Sequence, residues 1–105
     1  MLIVLSQHAL QRYQERVEDL PESEILQVIN RSMAQPKFIL RRPNTLYWGL
    51  VDSQNALFVA ISSPEHPQEI LTIGRWWHFD VARRHCQKRQ AAIRQKNAKK
   101  NRSTP

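Results

Sequence analysis

The sequence predicts an α+β fold, with a short N-terminal strand, two helices packed on a four-stranded antiparallel sheet, and a basic C-terminal helix and tail. Three observations carry that reading. Apolar residues recur at helical spacing as far as Met33, and the pattern changes after Pro36. Beyond Pro36 come short segments rich in aromatic and β-branched residues, separated by Arg42-Pro43-Asn44, Asp52-Ser53-Gln54-Asn55 and Ser62-Ser63-Pro64-Glu65-His66-Pro67. Connections of that length cannot carry the crossovers that parallel strands need, so the segments form an antiparallel meander.

The elements follow in chain order. The apolar opening Met1-Leu2-Ile3-Val4-Leu5 lacks a basic leader and is too short for a signal sequence, so it reads as a strand. Ser6 is a good N-cap, and Leu10, Tyr13 and Val17 then mark a first helix over about 7–18. In Leu20-Pro21-Glu22-Ser23-Glu24 the proline suits a first helical turn and the acids favour the positive end of the helix dipole. The second helix then runs to about Met33 and buries the stripe Ile25, Val28, Ile29 and Met33. Strands are expected over 37–41, 46–51, 56–61 and 69–77. From about Phe79 the pattern is helical again, but Ala82, Cys86, Gln90 and Ile93 form only a thin apolar strip, and the last eight or so residues are expected to fray. The two helices cover one face of the sheet and leave the other for the tail or a ligand. The expected domain spans 1–82, with 83–105 a basic appendage.

At 105 residues the chain makes one domain, and 41% apolar with 24% charged residues is ordinary globular composition. Cys86 is the only cysteine, which rules out an internal disulfide and fits a reducing, cytoplasmic setting. No apolar run approaches the roughly 18 residues of a membrane span. The four histidines lack spaced carboxylates, and the two glycines make no phosphate-cradling loop, so neither a metal nor a cofactor is expected. The net charge of +7 is unevenly placed. Residues 1–82 carry all nine acids and a balance of −2, whereas 83–105 carry nine basic residues and no acid. Such a tail suits salt-sensitive attraction to nucleic acid; a solubilising extension is the other reading.

Two clusters are candidates for chemistry. In Ser6-Gln7-His8-Ala9-Leu10-Gln11-Arg12-Tyr13-Gln14-Glu15-Arg16, residues His8, Arg12 and Arg16 fall four apart and form a column on one side of the helix. Like charges at that spacing repel by a few tenths of a kcal/mol unless an anion is present. Phosphate fits: arginine offers paired donors to its oxygens, and a histidine beside it could move a proton on a ribose 2′-hydroxyl or a leaving oxygen. A solvated helix face explains the same spacing. The second cluster is Thr72-Ile73-Gly74-Arg75-Trp76-Trp77-His78. On a strand the two tryptophans point to opposite faces, so at most one fills the core and the other can stack on a base or cover a helix.

The opening stretch, followed by Leu20-Pro21-Glu22-Ser23-Glu24-Ile25-Leu26-Gln27-Val28-Ile29 and strands ending in Ile70-Leu71-Thr72-Ile73-Gly74-Arg75-Trp76-Trp77, resembles small RelE-like and BrnT-like toxin-related proteins of the barnase, EndoU, colicin and RelE superfamily of metal-independent ribonucleases. The likeness covers about residues 3–78. It implies RNA cleavage by 2′-hydroxyl transesterification in a cleft between the first helix and the strands. His8 would be the general acid or base, Arg12 would bind the scissile phosphate, and Thr72 and Arg75 would complete the site. Arg16, Trp76, Trp77 and His78, with Arg83, Arg84, Lys88 and Arg89 from the tail, would hold the RNA. RNA, ribosome-bound RNA included, is the implied partner, and an antitoxin or other protein a second one. The basic extension after Asp80 departs from the family pattern. It keeps two alternatives open: a non-catalytic nucleic-acid-binding or regulatory protein, and a phage or defence interaction module on the same fold.

Overall fold

The computed structural model describes residues 2–90. Ile93 and the segment expected to fray lie outside the described residues. The chain begins with strand β1 (Val4–Leu5), followed by helix α1 (Gln7–Arg16) and helix α2 (Glu22–Ala34). The Ser6 hydroxyl accepts the Ala9 N–H at 2.9 Å, the N-cap its position predicts. Pro21 occupies the N-cap of α2, with Glu22 and Glu24 in the first turn. Strands β2 (Phe38–Arg42), β3 (Thr45–Val51), β4 (Leu57–Ser62), β5 (Glu69–Ile70) and β6 (Thr72–Gly74) follow. A 3₁₀ turn (Trp76–His78) then leads into a third helix, α3, over 80–90.

The four-stranded antiparallel sheet has the order β2-β3-β4-β6, and β1 pairs with β5 in parallel as a separate ribbon. The single last strand expected over 69–77 is therefore three pieces. Leu71 donates its N–H to Ile61 at 2.8 Å while Thr72 is the register partner of the same residue, so two residues oppose one and a bulge forms. The extra residue shifts the side-chain alternation: Ile70 and Ile73 are both buried, and Leu71 is exposed. After Gly74 the strand ends because the Arg75 N–H bonds to its own neighbour, His78 Nδ1, at 2.8 Å. The Arg75 guanidinium meanwhile occupies the Leu57 carbonyl at 3.1 Å, at the start of β4 where the ladder with β6 would continue.

One face of the sheet carries Trp48, Leu50, Phe58, Ala60 and Ile73 and packs on the stripes of α1 and α2, with Tyr13, Ile25 and Ile29 fully buried. The Tyr13 ring meets Phe58 edge-on at 5.4 Å, and its hydroxyl donates to Glu18 at 3.1 Å. Burial first, and then that hydrogen bond to a carboxylate, push the Tyr13 pKa up.

The opposite face is covered by α3, so this part of the basic segment belongs to the fold and the expected boundary at residue 82 does not separate an appendage. Ala82 and Val59 are fully buried, and the Tyr47 and Phe79 rings lie 6.5 Å apart. Gly49 makes room on this face. A Cβ there would run into the Phe38 ring, which lies across it and meets the His85 ring at 4.7 Å. Gly49→Ala is expected to lower stability by about 1–3 kcal/mol through overpacking, measured by urea unfolding, and Phe38→Leu in that background should recover part of the loss.

Candidate functional site

The column on α1 does not act as a unit. His8 is exposed in the first turn, and Arg12 is half-exposed and paired with Glu15 at 2.9 Å. Hydrogen bonds from Gln11 and Arg12 hold the Glu15 carboxyl below its ordinary pKa. Arg16 turns instead toward β6 and donates to the Ile73 carbonyl at 3.4 Å. It approaches the space above Gly74, where a Cβ would lie 3.1 Å from Arg16 Nη1 and 3.0 Å from His78 Nδ1. Glycine at 74 is what lets these two groups and the Phe79 ring meet.

Arg75 is a structural brace. Its guanidinium lies 3.0 Å from Asp52 Oδ2 and donates to the Val17 carbonyl at 3.0 Å and the Leu57 carbonyl at 3.1 Å. The Asp52 side chain is 2% exposed and that of Arg75 16%. The role assigned to Arg75 at a scissile phosphate is therefore not available to it, because its donors are spent inside the protein. Distance also separates it from His8. Arg75 sits at Val17, nine residues along α1 from His8, or about 13 Å at 1.5 Å per residue. Among the described residues no hydrogen bond joins His8 to Thr72 or Arg75. Thr72 is half-buried on the same sheet face as Gly74, the residue over which Arg16 and His78 approach each other.

The tryptophans leave the sheet plane rather than straddling it, because they lie in the 3₁₀ turn. Trp76 is half-buried and Trp77 is 52% exposed, the two rings perpendicular at 5.4 Å, with His78 tilted on Trp77 at 5.6 Å. His78 Nδ1 accepts the Arg75 N–H, which fixes the neutral tautomer with its proton on Nε2. Burial, and after it the Arg16 charge, hold the His78 pKa below 6.5.

A second group lies where α3 crosses β2. Arg84, His85 and Lys88 of α3 line a cavity of about 260 Å³ with Leu40 and Arg42 of β2. Arg83 and Arg84 share Asp80, at 2.5 and 2.8 Å, whereas Lys88 and Arg89 have no carboxylate partner among the described residues. Burial, then the charges of Arg89, Arg42 and Lys88, depress the His85 pKa. Sequence reasoning missed Arg42 and His85. Alternation along β2 places Arg42 on the face of Phe38 and Leu40, and the spacing of Arg84, His85, Lys88 and Arg89 gathers them on one side of α3, but only the packing joins the two sets. Burial raises the Cys86 pKa, which makes that thiol a poor nucleophile.

Among the described residues no three His, Cys, Asp or Glu side chains lie close enough to hold a metal ion, and no helix is long and apolar enough to cross a membrane. No protein-family model matches the chain, and neither curated proteins nor solved structures provide a match.

Arg75→Ala leaves the Asp52 carboxylate buried and unpaired, and is expected to cost about 3–5 kcal/mol in chemical denaturation, against less than about 1 kcal/mol for Arg12→Ala at its exposed pair. In an NMR titration His78 should protonate below pH 6.5. Its depressed pKa means the unfolded chain takes up the proton first, so this contribution to stability falls as pH drops below the ordinary histidine value. Arg16→Gln should raise the His78 pKa only part of the way, because burial is the larger cause.

Proposed function

We propose that the protein binds single-stranded RNA, gripping its phosphates along α3 and the end of β2 and stacking a base on Trp77, without cleaving it. The observation that carries this reading is the gathering of Arg42, Arg84, Lys88 and Arg89 on one side of the molecule, with Asp80 the only carboxylate paired among them in the described residues. Nine of the sixteen basic residues follow residue 82, and no acid follows Asp80, so the field of this face persists along the sequence. Trp77 stands just before α3, at the opposite end from Lys88 and Arg89, which lets a strand following the helix reach both.

Backbone contacts of this kind require only positive charge, whereas metal-free cleavage requires two proton-transfer groups on one phosphate. The separation of His8 from Arg75, and the use of His78 Nδ1 and the Arg75 guanidinium in internal bonds, favour binding over cutting. A reducing cytoplasm suits the lone Cys86 thiol and supplies single-stranded RNA as a partner.

Fluorescence anisotropy with a labelled single-stranded RNA over a range of salt concentrations tests the reading. Exchanging both Lys88 and Arg89 for glutamine should lower the slope of log affinity against log salt by about 1.4, at about 0.7 per lost phosphate contact. Trp77→Ala should remove about 1–3 kcal/mol of affinity. The RNA should stay intact in EDTA; cutting that disappears in His8→Ala would restore the ribonuclease reading in its place.

A further inference from the structure

We propose that the cavity between β2 and α3 is a receptor for a terminal phosphate monoester, such as the 5′-phosphate of an RNA strand. This rests on the RNA-binding reading and names the ligand group at the same face. Leu40 and Arg42 from β2 and Val81, Arg84, His85 and Lys88 from α3 line a space of about 260 Å³, several times the roughly 30 Å³ a water occupies in the liquid. Three of its six lining residues are permanently cationic at neutral pH. Their like charges face each other across the junction of a strand and a helix, an arrangement that costs energy until an anion sits among them. Asp80 offsets part of this charge, but its carboxylate is shared by Arg83 and Arg84 in the first turn of α3, and it does not line the cavity.

His85 lies in the wall of this cavity and reports on its occupancy. Its ring is fixed against Phe38, and its Nε2 is buried without a hydrogen-bond partner among the described residues. An unpaired buried ring nitrogen is uncommon, but this one is shielded from the cavity, so the phosphate oxygens are held by Arg42, Arg84 and Lys88 while the His85 ring forms part of the wall beside them. The charged groups near the ring are Arg42 from β2 and Lys88 and Arg89 from α3, all of one sign, and they hold its pKa down together with burial. A bound anion reverses that repulsion and favours the doubly protonated ring.

A monoester suits this cavity better than an internal phosphodiester. It has three free oxygens and between one and two negative charges near neutral pH, a match for the three cations Arg42, Arg84 and Lys88. A diester has one charge, and its chain must leave on two sides. Elsewhere along the sheet the charge differs. The cavity beside Arg31 and Ser32 sets Arg31 and Lys37 against Asp52, and the one beside Phe38 and Leu57 has two cations, Lys37 and Arg89, on a mostly apolar lining.

Two measurements on the full chain test the assignment. In anisotropy, one RNA sequence carrying a 5′-phosphate should bind about tenfold more tightly than its 5′-hydroxyl form, and Arg42→Gln should bring that ratio toward one. In NMR, inorganic phosphate should shift the His85 ring resonances saturably and raise its pKa, in wild type but not in Arg42→Gln. Equal affinity for the two RNA ends overturns the terminal-phosphate assignment even if RNA binding persists. Failure to bind either RNA sinks the RNA-binding reading; the phosphate titration then decides the cavity alone, and an unshifted His85 refutes it.

Discussion

The buried pair of Arg75 and Asp52 ties the end of α1, the start of β4 and the turn between β3 and β4 to the chain beyond β6. Through one guanidinium the carbonyl that ends α1, the carbonyl that begins β4 and the turn between β3 and β4 are fixed at one point. Asp52 extends the brace, since its other oxygen accepts the N–H groups of Gln54 and Ala56, and Asn55 takes the left-handed backbone conformation that closes the turn. A buried ion pair offers little net stability over apolar packing, but removing either member leaves an uncompensated charge, so the two act together or not at all. The pair also decides the geometry of the segment that follows: with Arg75 drawn inward, the chain turns at Trp76 and leads α3 across the sheet.

Much of the architecture was legible because it rests on local periodicity. The stripe of Ile25, Val28 and Ile29, the Ser6 cap and the turn residues after Arg42 and Val51 each specify an element without reference to distant parts of the chain. The last strand was not legible, because its break depends on tertiary events. The bulge opposite Ile61 and the capture of the Leu57 carbonyl involve residues ten or more positions away. The packing of α3 was hidden for a related reason. Its apolar strip is thin, and what accommodates it is the absence of a side chain at Gly49, which has meaning only once Phe38 is known to be its register partner.

The candidate site divides in the same way. The charge asymmetry after residue 82 can be read by counting, and it points to α3. The column of His8, Arg12 and Arg16 is real as helical geometry, yet its three members have different neighbours: solvent for His8, Glu15 for Arg12 and β6 for Arg16. Spacing along a helix gives direction, not company. Arg42 and His85, more than 40 positions apart, become neighbours only because α3 crosses the sheet as far as its edge strand.

The parallel ribbon of β1 and β5 has a consequence for the order in which the molecule assembles. Ser6 donates its hydroxyl to the Leu71 carbonyl across 65 residues, and Val4 bonds to Gln68 on the same seam. Closing a loop of that size costs about 4 kcal/mol in its length-dependent part, so the seam forms after the meander has brought its ends near. During synthesis β1 leaves the ribosome some 65 residues before the strand it pairs with. Until β5 is made the edge of β1 has no strand to pair with, and this early segment is among the last to settle.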